Sequence, residues 1–397
     1  MFEKLRESTP CYIVSEQKLR TKFTMLKTMS QLKDFSFIFP LKPVAIPVVL
    51  NLLKEVVSGF SVSSLNESIL VRKLFHAEIP VFLTSPAMKS EEVDRLANLC
   101  DHISFNSLGQ LARFGSVFAR RCKLGLRVNP GLSFVKDKRY NPCRKYSKLG
   151  VTLDELNELV QMKSDELKQI SGISFHNNCE SDDFADLLET IHILNERIPA
   201  VLQSINWINI GGGYSISKKT NWDPFLKGIR ILKEKYNLKI YFEPGKGIIG
   251  DTIQLISSVQ DIIARKDKLI AILDTSVNHM PEVFEYQYRP SVLHSNTKGK
   301  HRYILAGASC LAGDIFGEYS FDKQLEIGSK IVFEDMGAYT LVKAHMFNGI
   351  NLPTIYLLSM DGELELIREY DYEDFLSRCG AKKHDTIRKV AYDIKAS

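Results

Sequence analysis

The stretch FSFIFPLKP, residues 35–43, joins a run of β-forming residues to a single cation. Apolar and aromatic side chains dominate as far as Pro40, and Lys42 then stands between Pro40 and Pro43. Because a lysine is seldom buried without a partner, Lys42 taken alone is interpreted as a surface residue at the end of a strand. The alternative is a reactive amine held at the rim of a sheet or barrel.

The same change from an apolar strand to a polar end recurs along the chain. Helical segments such as SEEVDRLANLC (90–100) separate β-rich runs, and Thr152 followed by Glu155 has the pattern of a capping box. This alternation predicts a parallel sheet covered by helices, and eight units fit an α/β fold with a (β/α)8 TIM barrel better than an open sheet. The eight runs are FSFIFPLK, GFSVSS, IPVFLTSP, HISFNS, LGLRVNP, ISGISFHN, INWINIGGG and KIYFEPGK.

After about residue 250 the pattern changes to strands without long helices between them. We predict a mainly β second domain that the N-terminal PCYIVS (10–15) joins. The predicted barrel spans residues 30–255, and the second domain comprises residues 1–29 and 256–397, ending in a basic tail. The long irregular segment 131–149 is expected to be functional, because loops of this length inside compact domains often are.

Composition excludes several classes of function. The 397 residues carry a net charge of +5, but acids are interspersed with the basic residues, so neither a nucleic-acid polymer nor a membrane is expected as partner. The N-terminus lacks the apolar core of a signal peptide. Seven scattered cysteines without metal-ligand spacing predict a reduced, cytoplasmic protein with no bound metal.

The strand ends predict a site at one mouth of the barrel, where barrel enzymes build their active sites. Lys42, His176 and Glu243 each follow a predicted strand and are expected to lie within reach of one another. The triplet in NIGGGYS predicts a tight turn with exposed N–H groups suited to a phosphate. Its residues are Gly211, Gly212 and Gly213.

A lysine amine, a carboxylate and a phosphate-binding turn together match pyridoxal 5′-phosphate (PLP). Lys42 would bind the aldehyde carbon, Glu243 would keep the pyridine nitrogen protonated, and His176 would lie against the face of the ring. The alternatives are a strand-end histidine satisfied by the backbone and a carboxylate that belongs to a turn.

Longer stretches resemble a known family, the fold type III, alanine racemase-like PLP-dependent decarboxylases. They are PLKP, SFHNNCE, NIGGGYS, YFEPGKG and FEDMGAYT. Within that family the chain is most similar to the carboxynorspermidine decarboxylase branch, through YNPCRKYSKLGVT, LDTSVNHMPEVFEYQYRP, ASCLAGDIFGEYSFD and VKAHMFNGINLP. The resemblance implies a PLP-binding barrel with a mainly β C-terminal domain and a homodimer with active sites shared across the subunit interface.

The resemblance also implies roles for residues of the second domain. Cys310 and Asp314 would reach the cofactor of the other subunit, and Tyr339 would help the glycine turn to hold the phosphate. Since decarboxylation leaves a carbanion that must be protonated, the Cys310 thiol is the candidate acid, with a buried structural cysteine as the alternative. The candidate substrate-binding residues, which could equally form structural salt bridges, are His279, Glu282, Arg289 and Asp314.

The chemistry expected from this branch is removal of carbon dioxide from a terminal 3-amino-3-carboxypropyl group, which leaves an aminopropyl group. Glu243 favours decarboxylation, because the family's racemases place an arginine by the ring nitrogen. Asn177 and Asn178, in HNNCE, depart from the pair usual in the branch and leave the substrate open. One alternative is a peptidyl-nucleotide antibiotic precursor of the microcin C type; another is a non-catalytic PLP-binding protein.

Overall fold

The computed structural model describes residues 9–33, 35–135, 137–217 and 219–381. Two compact units make up the chain, Leu19–Ile249 and the pair of segments Met1–Lys18 and Gly250–Ser397. The divisions predicted from the sequence lie after residues 29 and 255. The basic tail, from residue 382 onward, lies outside the described residues.

The described chain begins with strand β1 (Cys11–Ser15) and helix α1 (Glu16–Lys33). The unit Leu19–Ile249 then holds a ten-stranded parallel sheet. Its strands are β2 (Ser36–Phe37), β3 (Phe39–Pro40), β4 (Phe60–Val62), β5 (Val81–Ser85), β6 (His102–Phe105), β7 (Lys123–Asn129), β8 (Val151–Thr152), β9 (Gly172–Phe175), β10 (Trp207–Asn209) and β11 (Lys239–Phe242).

The stretch 35–43 closes this sheet on itself. Neighbouring strands run in the order β2-β11-β10-β9-β7-β6-β5-β4-β3, and only Ile38 separates β2 from β3. The N–H of Ile38 donates to Phe242 O at 3.0 Å on one side, and the N–H of Phe39 donates to Gly59 O at 2.9 Å on the other. All eight predicted strands are present, and the predicted TIM barrel is confirmed.

Helices follow most of the strands, as the alternation in the sequence predicts. In α6 the Thr152 hydroxyl accepts the Glu155 N–H at 3.2 Å, and Glu155 Oε2 accepts the Thr152 N–H at 2.7 Å, which confirms the capping box. The helices are α2 (Pro47–Leu53), α3 (Leu65–Phe75), α4 (Val93–Leu99), α5 (Leu108–Phe118), α6 (Leu153–Gln161), α7 (Asp165–Gln169), α8 (Ala185–Arg197), α9 (Pro199–Ser204), α10 (Asp223–Tyr236) and α11 (Lys246–Ile249).

Aromatic side chains fill the barrel end opposite the polar strand ends. Trp207, Phe82 and Tyr241 form one buried cluster with Ile38. Gly172 makes room for it, since a Cβ at that position would lie 2.0 Å from the Trp207 ring. This end is therefore a packed core, which leaves the other end for a site.

The second unit is mainly β, as predicted. PCYIVS forms β1, which pairs antiparallel with β12 and parallel with β17. The strands β15 and β18 were not predicted, because they lack a continuous apolar run. The elements are β12 (Ile253–Arg265), β13 (Lys268–Leu273), α12 (Glu282–Tyr286), β14 (His301–Ala306), β15 (Ile315–Phe321), β16 (Lys330–Phe333), β17 (Thr354–Leu358), β18 (Leu364–Arg368) and α13 (Tyr372–Arg378).

Candidate functional site

A polar cavity opens at the carboxyl ends of the barrel strands. Five side chains with charged, imidazole or amide groups line it, together with serine and threonine hydroxyls: Lys42, Arg127, His176, Asn209 and Glu243. Parallel strands bring their carboxyl ends to one mouth, so residues far apart in the sequence meet there. The predicted convergence of Lys42, His176 and Glu243 is thus present in the structure.

Lys42 projects into this cavity two residues after β3 ends. Its side chain keeps access to solvent through the open mouth. The surrounding walls still displace much of its hydration, and this lowers the pKa of the amine. The Glu243 carboxylate opposes the shift, whereas the Arg127 guanidinium adds to it. The neutral amine, which is the nucleophilic form, is therefore more populated than for an ordinary surface lysine.

His176 is held as a neutral imidazole. The Gly212 N–H donates to its Nδ1 at 3.1 Å, so the ring proton belongs on Nε2. Burial lowers the pKa of His176 well below its usual value, and the cations Lys42 and Arg127 lower it further. A flat uncharged ring at the cavity wall can stack on a planar ligand without adding a positive charge to the mouth.

The glycine triplet forms a turn that only glycine can make here. Gly211 and Gly213 have φ of +70° and +95°. A Cβ would lie 2.3 Å from Phe175 O at Gly211, and 2.2 Å from Glu243 O at Gly212. The turn therefore packs directly on the backbone at the ends of the two neighbouring strands.

The expectation of exposed N–H groups in this turn was wrong for its first two residues. The Gly211 N–H donates to Asn209 Oδ1 at 2.9 Å, and the Gly212 N–H donates to His176 Nδ1. The side chains of two neighbouring strand ends satisfy these donors, which a sequence pattern cannot reveal.

Sequence reasoning missed Arg127 and Asn209. Arg127 lies within β7, and Asn209 is the last residue of β10. Arg127 is a charged residue between the apolar Leu126 and Val128, and Asn209 is the polar residue of a strand that is otherwise Trp207 and Ile208. These signals could have found both. The period of two along a strand then places Arg127 inside the barrel.

Asn177 and Asn178 fasten the segment after β9 to helix α8, and Asn177 also bonds to the loop at Leu132. Asn177 Nδ2 donates to Thr190 Oγ1 at 2.8 Å and to Leu132 O at 3.1 Å. Asn178 Nδ2 donates to Asp186 Oδ2 at 3.1 Å. Both side chains are buried. These bonds give both amides a structural role, and an influence of the pair on the choice of substrate stays a prediction.

Cys310 and Asp314 lie in the second unit. Cys310 is exposed, and its N–H donates to Asn348 Oδ1 at 2.9 Å. Asp314 is only 3% exposed, and its carboxylate accepts hydrogen bonds from the loop before it and from the turn at Ser276. Asp314 thus fastens the loop that carries Cys310. Direct contact of either residue with a cofactor or substrate stays a prediction.

The remaining predicted residues of this unit occupy different environments. His279 is fully buried, with Nδ1 2.9 Å from Thr275 Oγ1. Glu282 is 3.3 Å from Lys343 Nζ. Their proposed contacts with substrate stay predictions.

Arg289 and Tyr339 are also engaged locally. Arg289 Nη1 donates to Glu318 O at 2.8 Å, and its guanidinium lies over the Tyr319 ring. Tyr339 is half-buried with φ of +59°, a conformation uncommon for a residue with a side chain. Its predicted role at the phosphate is not tested by this position.

The described residues lack two kinds of feature. They contain no group of three or more histidine, cysteine, aspartate or glutamate side chains that could hold a metal ion. Within the same ranges, no helix has the length and apolar character needed to cross a membrane.

Comparisons with known proteins agree with this architecture. Residues 17–250 match the pyridoxal binding domain of pyridoxal-dependent decarboxylases. Carboxynorspermidine/carboxyspermidine decarboxylase of Campylobacter jejuni subsp. jejuni serotype O:6 is 36% identical over 393 residues, which cover 95% of this chain and 99% of that protein. Carboxyaminopropylagmatine decarboxylase of a Synechocystis species is 35% identical, with coverage of 94% and 95%.

Solved structures show the same fold over nearly the whole chain. Carboxynorspermidine decarboxylase from Campylobacter jejuni, complexed with norspermidine, superposes with a TM-score of 0.83 at 34% identity and covers 93% of this chain and 99% of that one. Diaminopimelate decarboxylase from Helicobacter pylori, complexed with L-lysine, has the same TM-score at 21% identity, with coverage of 96% and 99%. At 21% identity, the second structure shows only that the fold is shared.

Proposed function

Because this chain belongs to the pyridoxal-dependent decarboxylases, and so uses PLP to remove carbon dioxide, we propose that its substrate carries a terminal 3-amino-3-carboxypropyl group. The product would carry an aminopropyl group in its place. The observation that carries the proposal is the identity of 36% with carboxynorspermidine/carboxyspermidine decarboxylase across almost the full length of both chains.

The barrel mouth fits PLP in its donor set. It offers an amine of lowered pKa at Lys42, a carboxylate at Glu243 and a glycine turn in which any Cβ would collide with neighbouring backbone. These are the groups that an aldehyde, a pyridine nitrogen and a phosphate require. When bound, PLP supplies an aldehyde that captures the substrate's amino group and a ring that accepts the electron pair left by carbon dioxide.

Each residue of the barrel mouth would have its own role toward PLP. Lys42 would hold the aldehyde carbon through its amine and release it to the incoming substrate. Glu243 would keep a proton on the ring nitrogen, and neutral His176 would lie on the ring face. Because the N–H groups of Gly211 and Gly212 already donate to side chains, we assign the phosphate to the turn from Gly213 onward, with help from Tyr339.

We further propose that the enzyme is a homodimer in which Cys310 serves the active site of the other subunit. Its thiol would deliver a proton to the substrate's Cα after carbon dioxide leaves, on the face it can reach. Asp314 would hold the Cys310 loop, and His279, Glu282 and Arg289 are the proposed residues for the distal part of the substrate. A thiol in this role is exposed in the monomer, as Cys310 is.

A substrate panel tests the proposed function. Purified enzyme loaded with PLP is incubated with carboxynorspermidine, carboxyspermidine, carboxyaminopropylagmatine and an aminocarboxypropylated peptidyl nucleotide, and mass spectrometry follows the loss of carbon dioxide. We expect turnover of one or more of the first three substrates, which are not attached to a peptidyl nucleotide. Turnover of the peptidyl nucleotide alone would favour the microcin C type of substrate, and turnover of none would refute the proposal.

The cysteines support a cytoplasmic location, which we also propose. All seven lie within the described residues, and each is a free thiol there. Free buried thiols such as Cys11, Cys100 and Cys122 are typical of a reducing compartment. A fluorescent fusion expressed in the source cell would test this location against a secreted one.

A further inference from the structure

The side chain of Asn209 connects two parts of the barrel mouth. Its Nδ2 donates to Glu243 Oε2 at 2.9 Å, and its Oδ1 accepts the Gly211 N–H at 2.9 Å. The side chain is only 5% exposed, so water competes little for either bond. One amide group thus joins the carboxylate at the end of β11 to the first residue of the glycine turn.

The same two segments are also joined through the backbone. The Glu243 N–H donates to Gly211 O at 2.8 Å, and Gly212 approaches Glu243 O so closely that it has no space for a Cβ. Backbone contacts place the two segments, but they do not orient the Glu243 carboxylate. Of the bonds described here, the one from Asn209 Nδ2 acts on that carboxylate directly.

An amide is the side-chain group suited to this position. Asn209 must accept from an N–H with one atom and donate to a carboxylate with the other, and asparagine does both without charge. An ionised aspartate could accept from Gly211 but could not donate to Glu243. It would also place a second negative charge beside Glu243, and two carboxylates so close cannot both stay ionised easily.

We propose that Asn209 is a positioning residue that sets the orientation of the Glu243 carboxylate and couples it to the glycine turn. The inference rests on the proposed role of Glu243 at the ring nitrogen of PLP. Asn209 itself takes up no proton and forms no bond to the reacting atoms. It acts through its hydrogen bonds to Glu243 and Gly211.

Two variants distinguish the bond from Asn209 to Glu243 from the bond that Asn209 accepts from Gly211. Asn209→Asp keeps an acceptor for the Gly211 N–H but loses the donor to Glu243, except when the new carboxyl group is protonated and can donate. Asn209→Ala loses both bonds. Acidification should therefore rescue the aspartate variant and leave the alanine variant impaired.

The primary readout is PLP affinity, measured by absorbance titration of the apo-protein at pH 8 and pH 5.5 and compared with the unmodified protein at each pH. For Asn209→Asp we expect binding weaker by about tenfold at pH 8, recovering to within about threefold at pH 5.5. For Asn209→Ala we expect a similar loss at both values. Phosphorus NMR of the bound cofactor should shift in the alanine variant more than in the aspartate variant.

Asn106→Asp is the matched control. Asn106 also follows a barrel strand, is buried to a similar degree, and uses its amide in the same two ways, donating to Lys148 O at 2.7 Å and accepting from the Gly150 N–H at 3.0 Å. It contacts no carboxylate through these bonds. Since Asn106 does not line the cavity, Asn106→Asp should bind PLP as the unmodified protein does at both pH values. A loss of affinity at pH 8 that acid rescues in Asn106→Asp would overturn the assignment to Asn209.

Two further outcomes separate failure of this inference from failure of the proposed site. If Asn209→Asp binds PLP within twofold of the unmodified protein at both pH values while Glu243→Gln weakens binding, the inference about Asn209 is wrong and the role of Glu243 stands. If Glu243→Gln also binds normally and leaves the absorption of the bound cofactor unchanged between pH 5.5 and 8, the proposed role of Glu243 is wrong.

Discussion

Two carboxylates, one in each unit, use their negative charge in different ways. Glu243 is half-buried in the wall of an open cavity that it shares with the cations Lys42 and Arg127. Asp314 is 3% exposed and accepts bonds from the Val277 N–H at 2.8 Å, from the Ser276 hydroxyl at 2.8 Å and from Ser309.

The difference shows how a charge serves structure or chemistry. A buried carboxylate is tolerated when several donors replace its hydration, and it then holds those donors together. This is the position of Asp314, which ties the Ser276 turn to the loop of Cys310. A carboxylate beside a cavity, close to an amine of lowered pKa, instead has the environment of a reacting site.

The largest effect is expected for substitution of Lys42, in the barrel. Lys42→Ala should lower decarboxylation by on the order of a thousandfold or more, because the amine proposed to hold the cofactor is lost. Borohydride reduction followed by peptide mass spectrometry should find no cofactor attached. The free energy of unfolding should change little, since the Lys42 side chain projects into an open cavity.

Lys54→Ala is the control for Lys42. Lys54 is a lysine of the same unit that pairs with Glu78 on the surface. Its loss should leave both activity and cofactor attachment unchanged. Cofactor found attached to a different lysine after Lys42→Ala would show that the wrong lysine has been assigned.

A smaller effect is expected for substitution of Asp314, in the second unit. Asp314→Asn should lower the free energy of unfolding by about 2–4 kcal/mol, because its amide N–H would face donors that now bind the carboxylate. Urea denaturation measures this loss. Alkylation of Cys310 should also become faster, measured in a Cys379→Ser background since Cys379 is the other exposed thiol.

Asp361→Asn is the matched control for Asp314. Asp361 is exposed in the second unit, so its substitution should change stability by no more than about 0.5 kcal/mol. Equal stability of Asp314→Asn and Asp361→Asn would remove the structural role assigned to Asp314.

The smallest effect concerns pH. Burial lowers the pKa of His279 to about 4, and His345 nearby adds to the shift. Since the unfolded chain then binds more protons, stability should be complete above about pH 6.5 and fall as the pH approaches 4. We expect this histidine to account for about 1–2 kcal/mol of lost stability at pH 5.

Urea denaturation at pH 7 and pH 5 tests the contribution of His279. His279→Gln should lose less stability on acidification than the unmodified protein does. His294→Gln, at an exposed histidine, should leave the difference between the two pH values as it is. An unchanged pH dependence in His279→Gln would count against a buried neutral imidazole.

The sequence by itself determined the barrel, the eight strand ends and three of the polar residues at its mouth. Strand and helix periods are local properties, and the carboxyl ends of parallel strands must share one mouth. Lys42, His176 and Glu243 could therefore be placed together without a structure. The capping box at Thr152 was also predictable, because it depends on residues close together in the sequence.

Only the tertiary structure decided which partner each polar group has. The bond from Asn209 to Glu243 spans 34 residues, and that from Ser276 to Asp314 spans 38. Such pairs depend on register and on side-chain direction across the fold, which no local pattern encodes. That is why the bonds by which Asp314 holds its loop were not predicted, and why Asn209 was not predicted at all.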